Sequence, residues 1–226
     1  MNRRAPLVSG ETYHVYNRGA HKAIIFNNPG DYRRFKILMH LANNSKPIEV
    51  RNILHKYGGP SSEGSRVFDH PVDKALVDIL AYCLMPNHIH LVVRAKNDEG
   101  TTAFMRKLFT GYSMYFNTKY DHSGTLFQGR FKSSHIDNEA YFRYIFAYVH
   151  LNPLGLLNPQ WEEEGIASVS QVRSFMNDYA HSSFYDYNIG VRSEGKILNM
   201  EDTPEFLKEQ NDVEDLFRYY TEDRPL

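Results

Sequence analysis

The sequence predicts an α+β sandwich, an antiparallel sheet with helices packed on it. Three observations predict it. A β-branched and aromatic run with rough alternation occurs at 11–17, and short apolar runs occur at 75–84 and 89–93. Segments with apolar residues at helical spacing separate them, at 29–43, 102–120 and after 138. The resulting order is β, α, β, β, α, β, α, with two of the strands joined by a turn too short for a parallel crossover. With 42% hydrophobic and 23% charged residues in 226, the chain has the composition of a globular protein, which excludes wholesale disorder.

Each element has a local cause. Glu11-Thr-Tyr-His-Val-Tyr-Asn17 alternates and then breaks at Arg18-Gly19, as a strand does. Asn28-Pro29 followed by Asp31 is a helix start, and Phe35, Leu38, Met39 and Leu41 continue the helix to about Asn43. Residues 44–72 are polar and contain Gly58-Gly59-Pro60-Ser61-Ser62, so most of this stretch reads as an inserted loop. Ala75 to Leu84 and Ile89 to Val93 flank Met85-Pro86-Asn87, which predicts an antiparallel hairpin. Asp98-Glu99-Gly100-Thr101 opens a helix over roughly 102–120, with Phe104, Leu108, Tyr112 and Tyr115 on one face. A Gly- and Arg-containing loop at 121–132 and a short strand from Ser133 to Ile136 follow. Asn138 then starts a helix that Pro153 stops. Beyond Leu157 the chain is weakly patterned, with short helices expected near 204–209 and 212–220. The order approximates the split-βαβ, ferredoxin-like arrangement.

Charge is distributed unevenly. Residues 160–226 carry 6 basic and 15 acidic side chains, and residues 1–159 carry 20 basic and 12 acidic. A basic body with an acidic tail suggests a polyanion partner. The lone Cys83, in an apolar run, excludes an internal disulfide and reads as buried filler in an intracellular protein. No run approaches the length of a membrane span, and the basic start Met1 to Gly10 lacks the apolar core of a secretory signal. There is no Walker loop, dinucleotide fingerprint, nucleophile elbow or His-Glu-x-x-His.

Three groups of residues carry chemistry. His88-Ile89-His90 on a strand aims both imidazoles at one face, half of a divalent-metal site. Eleven histidines in the chain leave a metal-free sheet pair as the alternative. Tyr148 and Asn152 stand one helical turn apart, an oxygen nucleophile beside a hard amide ligand. A packed tyrosine beside a capping asparagine is the alternative. Residues 102–132 interleave Arg106, Lys107, Lys119, Arg130 and Lys132 with Tyr112, Tyr115, Phe116, Tyr120, Phe127 and Phe131. Cations for phosphates and flat rings for unstacked bases suit single-stranded nucleic acid, though several of these rings also suit the core.

Taken together, Tyr13-His-Val-Tyr-Asn-Arg-Gly19, Leu84-Met-Pro-Asn-His-Ile-His-Leu-Val92, Leu126-Phe-Gln-Gly-Arg-Phe-Lys132 and Tyr148-Val-His-Leu-Asn-Pro153 resemble the single-tyrosine transposases of the HUH superfamily. The branch they resemble is that of the REP-associated tyrosine transposases and their insertion-sequence relatives. The resemblance runs from about Tyr13 to Tyr187 and includes Ser182-Ser-Phe-Tyr-Asp-Tyr187. It implies a ferredoxin-like catalytic domain over 1–187, interrupted by the insertion at about 44–72 and followed by an acidic extension over 188–226. It also implies His88, His90 and Asn152 as ligands of Mg²⁺ or Mn²⁺, and Tyr148 as the nucleophile on a catalytic helix. Related insertion-sequence enzymes carry a different polar residue at the position of Asn152. The implied activity is cleavage of single-stranded DNA at hairpin-flanked sites through a 5′-phosphotyrosine, followed by strand rejoining. Arg18, Arg106, Lys107, Arg130 and Lys132 are expected on one DNA-binding face.

The expected partner is single-stranded or hairpin DNA and the expected location is the cytoplasm, on the nucleoid when DNA is bound. Monomer and homodimer both stay open. A non-cleaving nucleic-acid-binding module on the same fold is the alternative, and it would need neither the His pair nor Tyr148. A replication initiator or relaxase would use the same residues, usually within a larger chain.

Overall fold

A computed structural model describes residues 7–57, 65–165, 168–201, 203–204, 206 and 212–225. Four strands, β1 (Thr12–Arg18), β2 (Val77–Met85), β3 (His88–Ala95) and β4 (Lys132–Ile136), form one sheet in the order β2-β3-β1-β4. All neighbours are antiparallel. With α1 (Pro29–Ala42) between β1 and β2, and α3 (Gly100–Tyr120) between β3 and β4, this is the ferredoxin-like topology that the sequence predicts. The hairpin needs only Pro86-Asn87 to turn, so His88 is already the first residue of β3.

Alternation along the strands divides the core into two layers. Val15, Tyr82, Leu84, Ile89 and Leu91 pack against α1 and α3 through Phe35, Leu38, Phe104 and Leu108. Leu80, Cys83 and Val92 pack on the other face, against α4 (Glu139–Leu151) through Phe146 and Val149. Cys83 is fully buried, as expected of filler.

Every residue of the edge strand β2 is buried. The reason is the segment before α7 (Phe184–Asn188), which covers the strand's free edge. Leu84 N donates to His181 O at 2.9 Å and Ser183 N donates to Tyr82 O at 2.9 Å. The Tyr187 hydroxyl donates to Leu80 O at 2.6 Å. The Ser182–Tyr187 motif thus blocks an exposed strand edge.

One expectation is refined. Within the 44–72 stretch, expected to be mostly loop, lie α2 (Val50–Lys56) and a 3-10 turn at Ser65–Asp69. Ile48, Val50, Ile53 and Tyr57 lie against the core, an amphipathic pattern masked in the sequence by the adjacent Gly-Pro-Ser run, whose residues lie outside those described. α4 ends at Leu151, ahead of Pro153 as expected, and the chain continues in a 3-10 turn at Asn152–Leu156, where a proline near the start forfeits no helical hydrogen bond.

The C-terminal part adds α5 (Trp161–Glu164), α6 (Val169–Asp178) and α8 (Val213–Glu222). α8 lies against α4, burying Val213, Leu216 and Tyr220. It corresponds to the helix expected at 212–220, whereas the one expected near 204–209 falls largely outside the described residues. Among the described residues, no helix is long and apolar enough to cross a membrane.

Candidate active site

The sequence motifs meet because backbone contacts draw their loops to one end of the sheet. Gly19 N donates to Asn87 O at 2.8 Å, and Gln128 N donates to Arg18 O at 2.8 Å. Asn17 Nδ2 reaches Gly129 O at 3.2 Å. A Cβ on Gly19 would stand 2.2 Å from Ala23 O, so only glycine fits this crossing. Gly129 takes φ +68°, the left-handed conformation that the tight Phe-Gln-Gly-Arg-Phe loop requires. A cavity of about 250 Å³ results, lined by Tyr16, Asn17, Arg18, His88, His90, Gln128, Lys132 and Tyr148.

His88 and His90 share the sheet face toward α4, with ring centroids 5.1 Å apart. Tyr148 comes down from α4 edge-on to His90, its centroid 5.4 Å away. Asn152, one turn further along, is buried and places its Oδ1 3.0 Å from His88 Nε2. The fold thus brings Asn152, named with the two histidines by the resemblance, against His88. The other ring nitrogen of His88 lies 2.6 Å from Asn87 Oδ1.

These contacts bear on whether the residues suit a divalent cation. Burial, with a smaller contribution from Arg18, holds the His88 pKa below the ordinary histidine value, so the ring is neutral and has one N–H. Placed on Nδ1, that proton is donated to Asn87 and leaves the Nε2 lone pair beside the Asn152 oxygen; placed on Nε2, it is donated to Asn152. Burial, then His14 and His88, holds the His90 pKa well below its ordinary value. His90 Nδ1 is engaged by His14 Nε2 at 2.9 Å, which leaves His90 Nε2 for a ligand. Two imidazole nitrogens and an amide oxygen thus fit Mg²⁺ or Mn²⁺. Among the described residues no three His, Cys, Asp or Glu side chains gather into a metal-holding group, so the amide is needed to complete the set.

Tyr148 is half-buried. Its ring is stacked with Tyr144, at 6.3 Å, and with Tyr220 of α8, at 6.4 Å. Burial foremost, then the charge of Glu162, pushes its pKa up to about 12. His150 points away, donor or acceptor to Ser183 Oγ at 2.7 Å inside the α4–α7 core.

The five expected DNA-binding cations do not share one face. Arg18 and Lys132 line the cavity, and Arg130 is exposed on the same Leu126–Lys132 segment. Arg106 and Lys107 lie on α3, across the sheet. Arg106 is exposed, but Lys107 Nζ is tied to the carbonyls of Asn44 and, at 2.9 Å, Lys46. A helix face was inferred there from charge alone, whereas the apolar stripe of α3 turns it to the opposite layer.

Sequence reasoning missed His14, Asn87, Gln128, Glu162 and Tyr220. His14 had a usable signal: it alternates with Tyr16 on a strand that must pair with the His88–His90 strand. Asn87 and Gln128 lie within quoted motifs. Nothing local marks Glu162 or Tyr220.

Residues 51–152, a little under half of the chain, match the family model described as "Transposase IS200 like". Over that segment the chain is similar to the IS200-like transposases. The segment contains His88, His90, Tyr148 and Asn152. No curated protein matches the chain. A solved structure of a REP-associated tyrosine transposase bound to a REP hairpin is similar at 15% identity with a TM-score of 0.47, over 83% of this chain and 84% of that one.

Proposed function

We propose that this IS200-like transposase cleaves single-stranded DNA beside hairpins through a covalent tyrosine intermediate and rejoins the ends. The observation that carries this reading is the convergence of Tyr148, edge-on to His90 at 5.4 Å, with His88 and Asn152 at 3.0 Å. A merely packed tyrosine and a merely capping asparagine have no reason to meet a paired-histidine strand in a solvent-reaching cavity beside Arg18 and Lys132.

His88, His90 and Asn152 would hold Mg²⁺ or Mn²⁺, which when bound supplies polarisation of a backbone phosphate and charge compensation. Arg18 and Lys132 orient that phosphate by ion pairing. The Tyr148 oxygen forms a bond to phosphorus as the bond to the 3′-oxygen breaks. The phenol proton ends on the departing 3′-oxygen, which leaves a 5′-phosphotyrosine and a free 3′-OH. Attack by a 3′-OH later reverses the step, returning the proton to Tyr148. The phosphodiester count is conserved, so no nucleotide hydrolysis is required, consistent with a sequence that lacks a Walker loop. A phenol with pKa near 12 is mostly protonated at neutral pH, so its proton leaves as the bond to phosphorus forms, aided by the positive charge of Arg18 and Lys132. We assign residues 1–187 to the catalytic part, and 188–226 to an extension whose α8 braces the tyrosine helix.

The test is incubation with a hairpin-flanked single-stranded oligonucleotide and Mn²⁺. Tyr148→Phe should retain DNA binding and lose the adduct, and Tyr144→Phe should keep it. A DNA adduct mapped by mass spectrometry to any tyrosine other than Tyr148 refutes the assignment.

A further inference from the structure

On the opposite layer of the molecule from Tyr148 lies a larger cavity, about 810 Å³, walled by α1, α2 and α3. That is within the range of roughly 300–1,000 Å³ typical of small-ligand sites. Arg33 and Arg34 enter it from α1, Arg51 and His55 from α2, and Tyr115 from α3, over a floor that includes Leu54. Arg51 and His55 are four residues apart and so share a face of α2. None of the residues lining the cavity is acidic.

Arg34 is the telling side chain. Its Nε is buried and has no hydrogen-bond partner, and its guanidinium lies 5.1 Å over the Tyr115 ring. A buried guanidinium N–H without an acceptor is costly unless an external acceptor arrives. The carboxylate nearby in sequence cannot serve. Asp31 already accepts from Lys119 at 2.6 Å, from the hydroxyls of Tyr115 and Tyr120, and from Asn27 N. Cationic forks for phosphate oxygens, beside an aromatic ring and an aliphatic floor, are the chemistry that binds a nucleotide.

We propose that this cavity binds a nucleotide phosphate, with Arg34 and Arg51 on its oxygens and Tyr115 with Leu54 against its sugar and base. The site is distinct from the cleavage centre, and four of its nine lining residues come from the 44–72 insertion. It rests on the nucleic-acid reading above but not on Tyr148 chemistry. The nucleotide can belong to a single strand or be free, and the experiment separates these sources.

The experiment uses the full chain carrying Tyr148→Phe, without divalent metal. Fluorescence anisotropy with labelled oligo-dT follows the strand, and calorimetry with dTMP follows the free nucleotide. Arg34→Gln and Arg51→Gln are compared with the parent, with circular dichroism as the folding control. Arg51 is exposed on α2, so its variant carries the test even if Arg34→Gln unfolds. If the strand occupies the cavity, oligo-dT affinity drops roughly fivefold to twentyfold per variant. Its salt slope should also shrink by about 0.7 for each phosphate contact removed. If the free nucleotide occupies it, dTMP binding is lost and oligo-dT affinity is unchanged. Unchanged affinities for both probes in folded variants, or no binding of either probe by the parent, overturn the proposal. Adduct formation by chains with Tyr148 intact is scored in parallel. Loss of the cleavage reading shows as no adduct in the unmodified chain, whatever the anisotropy reports.

Discussion

His14 Nε2 lies 2.9 Å from His90 Nδ1, so neighbouring strands hold two imidazoles stacked with centroids 5.1 Å apart. Burial pushes the His14 pKa down to about 4, which makes it a neutral acceptor able to fix the His90 ring. His14 is therefore a positioning residue. His14→Phe should weaken Mn²⁺ binding by about 10- to 100-fold, measured by calorimetry. His14→Gln, which keeps an acceptor, should recover a large part of it. Equal loss in both variants would make His14 simple packing.

Replacing His88 and His90 together with alanine should abolish metal-dependent cleavage and leave the circular dichroism spectrum intact. Asn152→Ala should lower Mn²⁺ affinity with less effect on DNA binding in the absence of metal. Metal-dependent cleavage surviving in the double histidine variant would end the ligand assignment.

Arg18 and Lys132 flank the cavity that holds Tyr148. Affinity for hairpin DNA should fall on the order of tenfold or more between 50 and 200 mM salt. Arg18→Gln and Lys132→Gln should each reduce the salt slope by about 1. Lys107→Gln should have a smaller effect, because that ammonium is already held by backbone carbonyls. A larger loss at Lys107 than at Arg18 would move the DNA path to the other layer.

His181 stacks on Tyr32 at 3.7 Å. Burial, then the charges of Lys36 and Arg192, pushes its pKa down to about 4. The folded pKa lies below the unfolded value of about 6.5. The unfolded chain therefore binds the proton first, and stability is lost as pH falls from about 6.5 toward 4. His181→Phe keeps the stack and should show a smaller drop in urea midpoint between pH 7 and 4.5. Parallel pH profiles would show that His181 contributes nothing to acid sensitivity.

Leu216 of α8 is fully buried against α4. Leu216→Ala should cost about 2–5 kcal/mol, read from denaturant unfolding. Truncation after Tyr187 removes Leu216 together with Val213 and Tyr220, and should destabilise the helix that carries Tyr148. If the truncated chain keeps its unfolding midpoint, α8 is not a brace. Tighter non-specific DNA binding by that truncation would show that the acidic segment also repels DNA.

Much of the fold was legible because its cues are local. Alternation along 11–17, the tight turn around Met85-Pro86-Asn87 and the Asn28-Pro29 helix start each act within a few residues. The same holds for the shared face of His88 and His90, which follows from strand geometry, and for the one-turn spacing of Tyr148 and Asn152. α2 was missed because Gly58 to Ser62 dominate the local signal, and the apolar face of this short helix acquires meaning only against the core. The single basic face was misjudged because charge counts carry no direction, whereas the stripe of Phe104, Leu108 and Tyr112 commits α3 to the layer away from Tyr148.

By itself, the sequence determined the order of the four strands and of α1, α3 and α4, the pairing of His88 with His90 on one strand face, and the nucleophile-type tyrosine one turn from Asn152. Only the tertiary structure decided that these groups meet, that His14 buttresses His90, that Tyr220 stacks on Tyr148, and that three arginines surround a second cavity. The physical reason is range. Backbone periodicity orients a side chain within its own element. Contact between elements depends on which apolar faces bury against which, and on bonds such as Gly19 N to Asn87 O that join residues far apart along the chain.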